Sequence, residues 1–286
     1  MKIAIIGGNG QLGSDVGNIL STTNDIVSLN HSDIDITNFV QVKNVLSIIK
    51  PDVVINTAAS HNVAKCEEDS SNAFLVNGTG SLNLAKVSND LKYMLIHYST
   101  DYVFDGSKKQ PYFEFDQTNP LNVYGVTKLA GENFITNYSE QGYVVRISGI
   151  YGKVPCRAKG SNFVTTMLRL AKEKTEVKVV GDEILTPTST YDIAMNTKLL
   201  IEKRPEFGIY HMTNEGSCSW YEFAKEIFSG LHLTTPLYET IVQQMDVTIK
   251  RPFYSVLENY MLKNNNINIM PHWKDSLHTF LKCNLF

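Results

Sequence analysis

Cysteine is scarce in this chain of 286 residues: there are four, at 66, 156, 218 and 283, with no CxxC spacing. That scarcity excludes a disulfide framework and a paired-thiol zinc or redox motif, and free thiols in a reducing compartment are expected. An excess of charge is lacking too. Lys and Arg number 26 against 29 Asp and Glu, a formal charge of −3, so no basic field invites nucleic acid. No apolar run reaches the length of a membrane span, and no membrane partner is expected. The opening MKIAIIGGNG has neither the apolar core nor the small-residue cleavage site of a secretory leader, so the expected location is cytoplasmic. Compositional bias is confined to KNNNIN at 263–268, read as a surface turn, and no repeat of solenoid period is found. What is present is a globular balance, 43% hydrophobic and 19% charged. The length suits one large or two small domains with a core that needs no staples.

The first 150 residues alternate short β-branched runs with longer amphipathic ones. Strands are predicted at 2–6, 26–29, 52–57, 93–98 and 143–147, and helices at 11–21, 38–49, 70–91 and 122–138. Alternation of this kind predicts an α/β fold, a doubly wound parallel sheet covered on both faces. Runs such as KIAII and DVVIN are apolar throughout, as strands buried on both faces are. Beyond Gly149 the rhythm loosens. Helices are predicted at 162–174, 191–202, 219–230 and 271–281, with extended pieces at 177–180 and 208–212. Residues 1–149 therefore read as a dinucleotide-binding domain. Residues 150–286 read as a smaller, mostly helical substrate-binding part that closes a cleft, with segments free to return to the first domain.

The first strand runs straight into Gly7-Gly8-Asn9-Gly10-Gln11-Leu12-Gly13 and then into a helix. Glycines at 7, 10 and 13 permit a tight turn and let a pyrophosphate approach backbone N–H groups at the positive end of the helix. The pattern is weak alone, but it occupies the first strand-to-helix junction of an alternating chain, which is the context that gives it meaning. At the end of the second strand, where an acidic residue would bind the adenosine ribose, Asn30 stands instead, followed by His31. The choice between NADH and NADPH is left open, with a lean to NADPH because the carboxylate that would repel a 2′-phosphate is missing.

The fourth strand ends at Ser99-Thr100-Asp101, and Tyr124-Gly125-Val126-Thr127-Lys128 begins a later helix. Residues 124 and 128 share a helix face. An ammonium beside a phenol favours phenolate and lowers its pKa, so Tyr124 reads as a proton donor to a carbonyl oxygen, with the Thr100 hydroxyl polarising the same oxygen.

Together these residues resemble the extended short-chain dehydrogenase/reductase superfamily, and more closely the dTDP-4-dehydrorhamnose reductase family. The likeness is carried by GGNGQLG, DIDIT (33–37), STDYVFDG (99–106), NPLNVYGVTKLAGE (119–132), NFVTTML (162–168), TPTST (186–190) and RPFYSVLENYML (251–262), nearly the whole chain. It implies a Rossmann-like sheet and hydride transfer from NADPH or NADH to C4 of a nucleotide-linked 4-keto-6-deoxyhexose. In that family the substrate is dTDP-4-dehydro-L-rhamnose, a precursor of cell-surface polysaccharide. It assigns Tyr124 as proton donor, Lys128 as its tuner and nicotinamide-ribose ligand, and Thr100 as the supporting hydroxyl. Gly10, Gln11, Leu12, Asp35, Ile36, Ala58, Ala59 and Ser60 match cofactor-binding positions, beside Gly7, Gly13 and Asn30 of the reading above. Asn77 matches an asparagine that helps place the active-site helix; with Thr100, Asp101 and Asn162 it is carried to the substrate side. A magnesium ion at a subunit contact is implied for some members, but no matching carboxylates are found, so no metal is expected. A homodimer is a prior from symmetry alone.

Departures cluster on the substrate side. The family pattern SWxYG reads Ser148-Gly149-Ile150-Tyr151-Gly152, so the aromatic wall over the sugar is missing at Gly149. The pattern Tyr-Thr-x-Val-Asp reads Ser60-His61-Asn62-Val63-Ala64, and an insertion-like segment spans 155–160. His61 and Asn62 are candidates for sugar hydroxyls, and Arg157 and Arg251 for charge-assisted bonds to the diphosphate. Two alternatives stand beside reduction of the family substrate. One is a reductase or epimerase for another sugar nucleotide. The other is a non-catalytic regulatory subunit like that of methionine adenosyltransferase, against which the intact Thr100, Tyr124 and Lys128 argue.

Overall fold

A computed structural model describes residues 1–156, 160–244 and 249–283. Six strands form one parallel sheet: β1 (Lys2–Ile6), β2 (Asp25–Leu29), β3 (Val53–Asn56), β4 (Met94–Thr100), β5 (Gly142–Ile147) and β6 (Gly208–His211), in the order β6-β5-β4-β3-β1-β2. Alternate residues of each strand enter opposite cores. Ile3, Ile5, Val53, Ile55 and Ile96 face one layer with Val16 and Leu20. Ala4, Ile6, Val54, Leu95 and Val144 face the other with Val42, Leu46 and Leu84. Both faces are therefore dry, which is why these strands carry no polar alternation.

The helices that cover the sheet are α1 (Gln11–Leu20), α2 (Phe39–Ile49), α3 (Gly80–Leu91) and α4 (Val123–Tyr138). The later chain adds α5 (Phe163–Glu173), α6 (Thr190–Lys203), α7 (Trp220–Gly230) and α8 (Trp273–Cys283). Four helices begin one residue after the sequence-based start, because the residue that signals the start is the cap. Asn38, Asn122, Asn162 and Ser219 each accept a hydrogen bond from a backbone N–H of the first turn, satisfying a donor the helix leaves orphaned.

The helix expected over 70–91 is divided. A short α-helix (Ser70–Phe74) passes through a wide π turn (Leu75–Thr79) before α3 begins. The wide turn rotates Asn77 inward, where it is buried and tied to two other segments. Periodicity cannot register one extra residue in a turn, and such turns concentrate at functional sites.

The chain returns to the first sheet after Gly149. Strand β6 pairs with β5, and α6 packs against α1 through Ile193, Ala194, Leu200 and Ile201 in the same core as Val16 and Leu20. A separate apolar cluster, including Tyr151, Val164, Val177, Phe223, Trp273 and Phe280, holds α5, α7 and α8 together. Between this cluster and the carboxyl ends of β1, β3 and β4 lies a cavity of about 1170 Å³. No helix among the described residues is long and apolar enough to cross a membrane.

Candidate active site

The cavity opens where ligands bind in parallel sheets, outside the carboxyl ends of the strands. At its floor β1 ends in Gly7, which takes φ +77°, and Gly10 forms the N-cap of α1. Gly10 has no side chain to cap the helix, so the first-turn N–H groups have no side-chain partner from it. The Gln11 amide donates to the Ile150 carbonyl through Nε2, while its buried Oε1 has no hydrogen-bond partner. A bare helix N-terminus beside a glycine turn fits a dinucleotide pyrophosphate. Leu12 and Gly13 complete that wall, and Asp35, Ile36, Ala58 and Ala59 continue it. Asp35 is fixed by the Thr37 N–H (2.9 Å) and hydroxyl (2.7 Å), which hold its carboxyl below the usual range.

Asn30 and Ser60 do not line the cavity. Asn30 is drawn into its own turn, its N–H donating to Asp33, and the neighbouring His31 faces the cavity instead. The Ser60 backbone is held from behind, its N–H donating to Asn77 Oδ1 and its carbonyl accepting from Asn77 Nδ2, both at 2.9 Å.

Strand β4 delivers Thr100 to the cavity, and α4 delivers Tyr124 and Lys128. The helix can lie this close because Gly125 packs on the Tyr102 carbonyl, where a Cβ would sit at 2.3 Å. The Thr100 hydroxyl bonds the Tyr124 phenol and lowers its pKa, but burial is the larger effect and pushes the phenol up. The expected lowering by Lys128 is not what the structure has. Lys128 Nζ donates to the Tyr98 carbonyl at 2.6 Å and meets His97 Nε2 at 3.1 Å, and burial depresses its pKa to about 8. Asn77 Nδ2 also donates to Thr127 Oγ1 at 2.9 Å. Asn77 therefore braces α4 against the Ser60 loop and is not a cavity residue.

On the substrate side, Asp101 is buried and collects hydroxyls from Thr100 (3.0 Å), Ser148 (2.9 Å) and Ser255 (2.6 Å). Burial raises its pKa and the three donors oppose that. His61, Asn162 and Arg251 line the cavity as expected. Asn162 does so while capping α5 and donating to the Gly152 carbonyl at 2.8 Å. Asn62 does not; it caps the helix Val63–Glu68. Arg157 lies outside the described residues. Among the lining residues not read from the sequence are Glu183, Trp220 and Phe163. Glu183 is buried, with its pKa raised by that burial and pulled back by the Arg251 charge. The Phe163 and Trp220 rings lie 4.5 Å apart. No local motif marks them; they meet only when α5 and α7 pack. Gly149 takes φ +52°, and a Cβ there would stand 2.7 Å from the Leu185 side chain, so the backbone itself disfavours an aromatic wall at this position. Among the described residues no group of three or more His, Cys, Asp or Glu side chains could hold a metal ion.

The family model described as the RmlD substrate binding domain matches residues 1–285. The chain belongs to that family. Its relatives include the spore coat polysaccharide biosynthesis protein SpsK of Bacillus subtilis, 36% identical over 98% of this chain and 97% of that protein. Among solved structures, a dTDP-4-dehydrorhamnose reductase from Clostridium acetobutylicum superposes with a TM-score of 0.94 at 40% identity, covering 99% of both chains. The dTDP-4-dehydrorhamnose reductase of Bacillus anthracis, solved in complex with NADP, gives 0.94 at 37% identity, again over 99% of both. A nicotinamide cofactor and the sugar-nucleotide reductase class thus accord with the glycine turn, Thr100, Tyr124 and Lys128 as they stand in this RmlD-family chain.

Proposed function

We propose that this protein reduces the C4 keto group of a nucleotide-linked 4-keto-6-deoxyhexose, with dTDP-4-dehydro-L-rhamnose as the substrate of first choice and NADPH as the preferred cofactor. The observation that carries the reading is the meeting of Thr100, Tyr124 and Lys128 with the glycine turn in one cavity. At about 1170 Å³ it exceeds the roughly 300–1,000 Å³ of a pocket for one drug-sized ligand, which suits a dinucleotide and a sugar nucleotide side by side. When bound, the reduced nicotinamide supplies the hydride. The chain supplies the proton: the raised pKa keeps the Tyr124 phenol protonated, ready to donate to the C4 oxygen, and the Thr100 hydroxyl stabilises the phenolate left behind. His31 at the adenosine end, with no carboxylate at Asn30, favours the 2′-phosphate of NADPH. The relative solved with NADP supports the same choice.

A second substrate reading, another 4-keto sugar, is favoured by Gly149, whose backbone leaves that side of the pocket without an aromatic wall. The experiment is to mix the protein with NADPH or NADH and freshly generated dTDP-4-dehydrorhamnose and follow the absorbance of the reduced nicotinamide. Consumption is expected, faster with NADPH. Nicotinamide binding without consumption would reject this sugar and turn the search to other sugar nucleotides.

A further inference from the structure

Behind the lysine, five groups form a continuous line of four hydrogen bonds. The Ala58 N–H donates to Asn56 Oδ1 at 3.1 Å. Asn56 Nδ2 lies 3.0 Å from His97 Nδ1, and His97 Nε2 lies 3.1 Å from Lys128 Nζ. Lys128 Nζ in turn donates to the Tyr98 carbonyl at 2.6 Å. Asn56, His97 and Lys128 are all buried.

The direction of each bond follows from what each atom can do. A backbone N–H only donates, so the oxygen of Asn56 must face Ala58 and its NH₂ must face the imidazole. That NH₂ also only donates, so His97 Nδ1 is the bare, accepting nitrogen. Burial holds His97 neutral, far below its usual pKa, and a neutral imidazole carries one proton, which is therefore on Nε2. The Nε2–H points at Lys128 Nζ. An ammonium has three donors and no acceptor, whereas a neutral amine has a lone pair to receive that hydrogen. The arrangement is that of Lys128 as the free amine.

We propose that His97 is a positioning residue whose Nε2–H holds neutral Lys128 against β4, and that protonation of Lys128 breaks this bond and turns the ammonium toward Tyr124 and the cavity. The kinetic part of this proposal rests on the reductase reading; the tautomer does not. The groups around the lysine set the balance. Glu132, one turn further along α4, favours the ammonium, but its carboxylate is committed to the buried Arg146 of β5 at 2.7 Å and to Ser99. Tyr124 shares the helix face. On β4 His97 resists the charge, while the Tyr98 phenol is turned away to the Thr197 hydroxyl, and Asn56 on β3 fixes the direction of that resistance.

The tautomer is read directly from ¹⁵N spectra of histidine-labelled free protein at about pH 9, above the pKa of about 8 that leaves Lys128 neutral, with the His97 signals assigned by their loss in His97→Gln. A protonated Nε2 and a bare Nδ1 are expected. A proton on Nδ1, or on both nitrogens, overturns the proposal whether or not any sugar nucleotide is turned over. The second readout is the pH profile of kcat/KM. In His97→Gln the amide oxygen can accept from the ammonium, so the alkaline limb should move up by about one pH unit. An unmoved limb with a uniformly lower plateau would make His97 merely structural and reject its hold on Lys128.

Discussion

Tyr124 and Lys128 are pushed in opposite directions by the same burial: the phenol upward and the ammonium downward, each toward its neutral form. A phenol so raised is protonated at every physiological pH, so the supply of acid does not limit the reaction at neutrality. The lysine, depressed to about 8, is charged below that pH and neutral above it. Activity that needs the ammonium is therefore present in the acid-to-neutral range and lost as pH rises through about 8. Tyr124→Phe removes the proton and nothing else of size. Turnover should fall by roughly 10²–10⁴, the scale of general acid catalysis, while titration of nicotinamide fluorescence finds the cofactor bound as before. Turnover within a few-fold of the parent would remove Tyr124 as the donor. That Thr100, Tyr124 and Lys128 share one cavity was legible in the sequence, because a four-residue helix spacing and a strand-end hydroxyl are local signals; their catalytic roles are the proposal made above. The place of His97 was not legible. A histidine in an apolar strand reads as core, and its meaning comes from Asn56 and Lys128, which lie 41 and 31 residues away.

The glycine turn and α1 act as one element, and two of its glycines, Gly10 and Gly13, answer to different demands. A Cβ on Gly13 would stand 2.4 Å from the Gly7 carbonyl oxygen and 2.8 Å from the Gly8 Cα, both backbone atoms that cannot step aside. A Cβ on Gly10 would meet only the Gly7 carbonyl, at 3.1 Å. Gly13→Ala should therefore unfold the junction, costing about 1–3 kcal/mol as overpacking does. Gly10→Ala should keep the melting temperature nearly unchanged while weakening NADPH binding about tenfold or more, about 1.4 kcal/mol. Thermal melts and cofactor titrations of the two variants separate these outcomes. Equal loss of stability in both would show that Gly10 too is needed for the turn itself. At this scale the sequence was informative wherever one segment decides its own shape: all five early strands and the caps at Asn38, Asn122, Asn162 and Ser219. It failed where a distant segment decides. The π turn at Leu75–Thr79 exists because Asn77 reaches Ser60 and Thr127, and Asn62 and Ser60 took structural duties in place of ligand contacts because of neighbours that no periodicity reveals.

For the whole molecule, the course of the chain after Gly149 bears on how it unfolds. Strand β6 completes the first sheet through four residue pairs with β5, and α6 shares the core of α1. The cluster around Phe223 and Trp273 has its own apolar interior, yet residues of both regions build the one cavity, from Gly10 and Tyr124 on one side to Trp220 and Arg251 on the other. Removing residues 150–286 would strip the sheet of its edge strand and expose the face of α1, so we expect the two parts to melt as one unit. Calorimetry should give a single transition whose van't Hoff and calorimetric enthalpies agree. A dinucleotide that binds only the folded chain adds about 2.7 kcal/mol at a concentration 100 times its Kd, which for a chain of this size raises the midpoint by roughly 5–10 °C. That shift should move the whole transition. If NADPH raises one transition and leaves a second behind, the two parts unfold independently, and β6 and α6 do not couple them as their packing requires.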